Sequence, residues 1–197
     1  MIDTIPMRED IMESSRNSGQ QKIFRGTTVL AVQQDGKLAM GCDGQVTFNE
    51  TVLKARAVKV RKVKERDILA GFAGSVADAL TLFEKFEEKL ETYSGNISRA
   101  AVELARDWRM DRVLRRLEAI LVVGDTEQLY LLSGSGEVIE PDDGVVGIGS
   151  GGAYAAAAAR ALIRNTDLPV RDVVQKSLEI AAEICIYSNT NIVIEEI

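Results

Sequence analysis

The sequence predicts an α+β fold: a four-layer αββα sandwich, with helices on the outer faces of two stacked antiparallel sheets. Two observations carry that expectation. Strand-like and helix-like runs arrive in groups: strands to about residue 72, two helices, strands again to about residue 148, two helices and a final strand. Alternating βαβ units would instead build a parallel sheet. The second observation is size. A chain of 197 residues with 46% apolar side chains supplies a sizeable core for one domain, and no repeat or linker divides it.

Residues 1–22 are polar and aperiodic, with the run Glu13-Ser14-Ser15-Arg16-Asn17-Ser18-Gly19-Gln20-Gln21. Such a stretch cannot bury enough apolar surface to offset the entropy of ordering it. Residues 1–26 are therefore expected to be a leader, disordered or removed, and 27–197 a single domain. Residues 28–34 are rich in β-formers, Asp35-Gly36 is a two-residue hairpin signal, and 37–41 follow as the partner strand. Asp43-Gly44 opens another turn. Val58, Val60 and Ile68-Leu69-Ala70-Gly71-Phe72 suggest further strand.

The period then changes. Val76, Ala79, Leu80, Phe83, Phe86 and Leu90 recur at three and four, the stripe of an amphipathic helix, and Ser75 and Asp78 are spaced as a capping box. Glu84, Glu87, Glu88 and Glu91 form the opposite face, read as solvated rather than as a cation site. A second helix is expected over about 98–116, with Ala101, Leu104, Ala105, Trp108 and Leu114 on its apolar side. Strand signals return at 119–123, 129–132, 138–139 and 145–148, with turns at Gly134-Ser135-Gly136 and Pro141-Asp142-Asp143-Gly144. Helices follow at about 154–164 and 170–187, the second introduced by Asp167 and Pro169, and then a short strand at 191–194.

Composition excludes several function classes. The formal net charge of -6 lacks the basic excess of a nucleic-acid-binding domain. No run approaches the ~18 apolar residues of a membrane span. The early acidic residues Asp3, Glu9, Asp10 and Glu13 leave no room for a secretory signal, so a cytoplasmic protein is expected. Cys42 and Cys185 show no metal-ligand spacing and are expected as buried, reduced thiols. Histidine is absent altogether. That removes the commonest general base near neutral pH, and with it Ser-His-Asp and Cys-His hydrolysis.

Gly26-Thr27-Thr28-Val29 offers another base. A small residue, a threonine and a strand, just after a polar leader, form a plausible processing junction. Cutting after Gly26 would give Thr27 a free α-amine, which titrates near ~7.7–8.0 and sits on the same residue as the hydroxyl. Such an amine takes the hydroxyl proton directly or through one water. Asp43, in Gly41-Cys42-Asp43-Gly44-Gln45, and Lys59 are candidate supporters. A lysine near the amine disfavours its protonated form, and a carboxylate would hold that lysine in place. Spacing alone does not single out Lys59 from Lys54, Arg56, Arg61, Lys62, Lys64 and Arg66. Gly147-Ile148-Gly149-Ser150-Gly151-Gly152 matches a dinucleotide fingerprint literally, but a helix follows where the second strand of a βαβ unit should stand. The glycines are better read as letting backbone pass close to a substrate chain, with helix-start amides nearby.

Several segments, in order along the chain, carry a resemblance. They are Gly26-Thr27-Thr28, Asp43-Gly44-Gln45-Val46-Thr47, Lys59-Val60-Arg61, Ala70-Gly71-Phe72-Ala73-Gly74 with Ala77-Asp78-Ala79, Ala101-Val102-Glu103-Leu104-Ala105, Ile148-Gly149-Ser150-Gly151-Gly152 and Ile184-Cys185-Ile186-Tyr187-Ser188-Asn189. From Thr27 to its end the chain resembles the HslV (ClpQ) family, bacterial relatives of proteasome β-subunits. The resemblance implies an N-terminal-nucleophile hydrolase fold and a threonine endopeptidase. It implies Thr27 as nucleophile with its freed amine as base, Asp43 and Lys59 as the supporting pair, an oxyanion-hole amide from Gly71, and Ser150 closing the network near the amine. It further implies a monovalent cation, Na+, on the backbone carbonyls of Ala182, Cys185 and Ser188. The implied assembly is two stacked hexameric rings, served by an HslU-type AAA+ ATPase hexamer that feeds in unfolded protein. ATP belongs to that partner, and no nucleotide is expected on this chain. Two departures stand out: family leaders are usually very short, and Cys42 occupies a position where glycine is usual.

Overall fold

The computed structural model describes residues 24–25, 27–63, 66–112, 114, 117 and 119–197. Most of the expected leader, residues 1–23 and Gly26, lies outside the described residues. Order nonetheless begins before Thr27. Phe24–Arg25 forms a two-residue strand, β1, paired antiparallel to Phe48 and Thr47 of β4 (Val46–Phe48). The free edge of β4 supplies backbone partners that the polar character of the leader did not announce.

β2 (Thr28–Gln34) and β3 (Lys37–Cys42) form the expected hairpin. Asp35 and Gly36 both take positive φ, 52° and 72°, as the favoured two-residue turn requires. β11 (Val145–Gly149) pairs with β2, and β12 (Val193–Glu196) pairs with β3, giving a four-stranded sheet. β6 (Val60–Lys62), β7 (Leu69–Gly74), β8 (Ala119–Gly124), β9 (Leu129–Ser133) and β10 (Val138–Ile139) form a five-stranded sheet. β5 (Thr51–Lys54) completes a small sheet with β4 and β1. Every described strand pair is antiparallel.

Three apolar cores define the layers. Val29, Ala31, Leu38 and Met40 of one sheet meet Leu69, Ala73, Val122 and Leu129 of the other. α1 (Val76–Thr92) and α2 (Ile97–Met110) cover the outer face of the five-stranded sheet, burying Phe86, Leu90, Leu104 and Trp108. α3 (Gly152–Asn165) and α4 (Val170–Ile184) cover the four-stranded sheet through Ala155, Ala159, Val174 and Leu178. The predicted αββα order is the observed one. Ser75 caps α1 by accepting the Asp78 amide, and the row Glu84, Glu88 and Glu91 is exposed, with Glu87 half-buried.

Two helices stop earlier than periodicity predicts. α2 ends at Met110 because Asp111 turns to an extended ψ of 130° and its carboxylate accepts the Leu114 amide at 3.1 Å. Such a side-chain turn competes with helix continuation. α4 ends at Ile184, and the chain then turns through 185–191 before β12, which starts two residues later than expected.

Candidate active site

Three loop or strand-end positions meet at one end of the two sheets. Thr28 opens β2, Asp43 directly follows β3, and Lys59 directly precedes β6. Lys59 and Asp43 are each only 1% exposed. The Lys59 Nζ donates to Asp43 Oδ1 at 2.8 Å and to the Gln45 carbonyl at 2.6 Å. Burial pushes the ammonium below its ordinary range, and the charge and hydrogen bond of Asp43 oppose that. Both of these partners are pure acceptors, which is the environment a charged lysine needs. Burial sets Lys59 apart from its described basic neighbours: Lys54, Arg56, Arg61 and Lys62 are exposed and Arg66 is half-exposed, while Lys64 lies outside the described residues.

Asp43 is a hub. Its Oδ1 also accepts the Thr28 amide at 2.8 Å, and its own amide donates to the Thr28 carbonyl at 3.0 Å. Its Oδ2 accepts the Gln45 amide at 2.9 Å and the Asn189 amide at 3.3 Å. One carboxylate therefore fixes the ammonium of Lys59 beside the second residue of the expected mature chain. Cys42 lies fully buried between the sheets. Its Sγ accepts the Lys59 amide at 3.3 Å, and burial pushes the thiol pKa up, so it is an inert packing residue.

The glycine-rich segment closes around Thr27 and Thr28. The Ser150 amide donates to the Thr27 carbonyl at 2.8 Å, and the Gly151 amide donates to Thr28 Oγ1 at 3.0 Å. Gly149 has φ +83°, and a Cβ there would strike the Thr27 carbonyl oxygen. The close approach is thus to the protein's own backbone just before β2, whereas the sequence suggested a substrate chain. α3 leads directly into α4 and not into a strand, so the dinucleotide unit is absent from the described fold. Ser150 itself is exposed and reaches Thr27 through its backbone. A Cβ on Gly151 would strike Thr28 Oγ1 and sit 2.7 Å from Ser188 Oγ. Gly151→Ala is accordingly expected to cost about 1–3 kcal/mol of stability through overpacking. An unchanged melting temperature would contradict that contact.

Gly71 lies in β7, paired with Val60 and directly below β2: a Cβ there would come within 2.8 Å of Val29 Cγ1. The following amide, of Phe72, donates to the Lys59 carbonyl at 3.1 Å. Ala182 is in the last turn of α4, Cys185 is its C-cap, and Ser188 ends the next turn, its amide donating to the Cys185 carbonyl at 3.0 Å. The last carbonyls of a helix lack intrahelical partners and carry partial negative charge. α4 has no basic residue in its last turn. Carbonyl oxygens of this kind suit a hard cation. Among the described residues no cluster of three or more His, Cys, Asp or Glu side chains offers an alternative site.

Sequence reasoning left out Thr28 as a hydroxyl, Gln45 and Asn189. It expected Ser188 only as a backbone ligand, yet its buried hydroxyl also lies 2.5 Å from Thr28 Oγ1. The signal available for these residues was their place in the matched segments Gly26-Thr27-Thr28, Asp43-Gly44-Gln45 and Tyr187-Ser188-Asn189.

Comparison with known proteins agrees with this geometry. The family model described as proteasome subunit matches residues 23–197. The ATP-dependent protease subunit HslV of Pseudothermotoga lettingae is 60% identical over 174 residues, spanning 88% of this chain and 99% of that protein. The subunit of the same name from Syntrophobacter fumaroxidans is 57% identical over 177 residues, spanning 90% and 99%. Among solved structures, eukaryotic HslV from Trypanosoma brucei superposes with a TM-score of 0.82 at 43% identity, over 86% of this chain and 98% of that one. Thiobacillus denitrificans BPH in complex with epoxomicin shares the fold, with a TM-score of 0.66 at 19% identity over 86% and 97%. A histidine-free chain with a lysine–aspartate pair buried beside a strand-opening threonine, and with these relatives, belongs to the proteasome subunit family, in its HslV branch.

Proposed function

We propose that Thr27, freed by cleavage after Gly26, is the nucleophile of a threonine endopeptidase acting on unfolded protein chains. Family membership makes the chain the proteolytic subunit of an ATP-dependent, proteasome-type protease. The observation that carries the residue roles is the sharing of Asp43 Oδ1 between the Thr28 amide and the Lys59 ammonium.

In the mature chain the Thr27 Oγ attacks a peptide carbonyl while the α-amine accepts its proton. The Lys59 charge holds that amine toward its neutral form. The oxyanion is met by backbone amides, Gly71 among them, and the amine then protonates the leaving nitrogen. Water releases the acyl group, with the amine as base again. Ser150 sits next to this exchange with its amide on the Thr27 carbonyl. The partner is an HslU-type AAA+ ATPase hexamer, which unfolds substrates and threads them into a chamber made by two stacked hexameric rings of this chain in the cytoplasm. No helix among the described residues is long and apolar enough to cross a membrane.

The assembled protein with the ATPase and ATP should degrade both a permanently unfolded protein and a folded one carrying an unstructured tail, and alone it should leave the folded one intact. Degradation of the folded protein without the ATPase would sink the chamber arrangement. A monovalent cation, Na+, would rest on the carbonyls of Ala182, Cys185 and Ser188, stiffening the turn that carries Ser188 and Asn189. Replacing sodium with tetramethylammonium at equal ionic strength should lower kcat severalfold, reversibly. Equal rates in both salts would contradict the cation site.

A further inference from the structure

The turn after α4 does more than connect α4 to β12. Asn189 uses its backbone amide and both polar atoms of its side chain at the candidate site. Its amide donates to Asp43 Oδ2 at 3.3 Å. Its Oδ1 accepts the Gly44 amide at 3.1 Å and the Asn191 amide at 3.1 Å. Its Nδ2 donates to the Ala55 carbonyl at 3.1 Å. A Cβ on Gly44 would strike that same Ala55 carbonyl oxygen, so the two segments run in direct contact where Asn189 bridges them. The bridge spans the turn that presents Asp43 and the segment that leads to Lys59.

We infer that Asn189 is a positioning residue for the peptidase reaction: it sets the orientation of the Asp43 carboxylate, and through it the place of the Lys59 ammonium. The geometry explains why an amide is needed. Donor and acceptor face opposite ways, toward the Ala55 carbonyl and the Gly44 amide, and neither a carboxylate nor an aliphatic side chain satisfies both. Among the described side chains, the titratable groups coupled to Asp43 are Lys59, from the segment before β6, and Cys42, from the end of β3. Asn189, Gln45, Thr28 and Ser188 are uncharged, so a charge introduced at 189 is felt by the pair directly. The inference rests on the peptidase assignment above.

The test uses the assembled, mature protein and a fluorogenic peptide. Asn189→Ala should lower kcat about tenfold with KM little changed, since small displacements of a catalytic constellation carry losses of this order or larger. Asn189→Asp keeps the shape but adds a negative charge beside Asp43. That favours the protonated forms of Lys59 and the Thr27 amine, so the acid limb of the pH–rate profile should move to higher pH. Asn191→Ala is the structural control. The Asn191 side chain donates to the same Ala55 carbonyl at 2.8 Å, while the bonds to the Gly44 amide and to Asp43 Oδ2 come from Asn189, so its loss should leave kcat near the parent value. Unchanged kcat in Asn189→Ala, an unmoved acid limb in Asn189→Asp, or an equal loss in Asn191→Ala would each overturn the positioning role. Parent protein whose hydrolysis survives Thr27→Ala would instead refute the peptidase assignment itself, so the two failures are distinguishable.

Discussion

Thr27→Ala yields assembled protein without measurable peptide hydrolysis, a loss of at least ~10⁴-fold by analogy with removal of other covalent nucleophiles. The expectation follows from composition and geometry together. There is no histidine anywhere in the chain to activate another hydroxyl. The described Ser150 amide bond to residue 27 is to its backbone carbonyl and survives the substitution, so the fold and its melting temperature should change little. Thr27→Ser keeps both hydroxyl and amine and should retain activity within about tenfold. Thr28→Val is a useful companion because the hydroxyl it removes is buried and bonded to Ser188 and Gly151. It should destabilise by about 1–3 kcal/mol without deleting the nucleophile. Full turnover by Thr27→Ala would end the proposed mechanism.

Lys59→Met has the second large effect, and it acts on stability and rate together. Methionine fills much of the same buried space but leaves the Asp43 carboxylate without a counter-charge. Breaking a buried ion pair by removing one partner costs about 3–5 kcal/mol. The Gln45 carbonyl loses its donor as well. The rate should fall by ~10²–10⁴, the usual range for impairing a general base, because the cation proposed to keep the Thr27 amine neutral is gone. Adding Asp43→Asn to Lys59→Met should recover part of the stability, since both charges are then absent, but none of the rate. Urea unfolding and pH–rate profiles separate the two quantities. A Lys59→Met protein with parent stability and parent rate would contradict the assignment of this pair.

Most of the fold was legible because the signals were local. Asp35-Gly36 fixes the β2–β3 turn through two positive φ values, and the three-and-four spacing of Val76 to Leu90 marks α1. The end of α2 was not, because Leu114 continues the apolar stripe while the Asp111 carboxylate breaks the helix from outside that pattern. Within the site, the missing histidine called for another base, but a threonine opening a strand is weak evidence by itself, and Thr27 took the nucleophile's role only from the resemblance of its neighbouring segments to the HslV family. Lys59 could not, since charge spacing among neighbouring basic residues carries no information on burial. Its environment depends on Asp43 and Gln45, brought close only when the two sheets stack. The same holds more strongly for Ser188 and Asn189, whose partners lie on the far side of the sequence. The close fit of Gly149 and Gly151 against Thr27 and Thr28 likewise required β11 to be placed beside β2. Periodicity names the faces of single elements but does not say which elements become neighbours.

The most direct measurement is the intact mass and terminal peptide map of the assembled, active protein after reaction with an epoxyketone peptide. The account predicts a chain that begins at Thr27, without residues 1–26, and an adduct confined to that first residue, joined through both its oxygen and its nitrogen. An active assembly whose subunits retain Gly26, or whose adduct lies on any other residue, would contradict it.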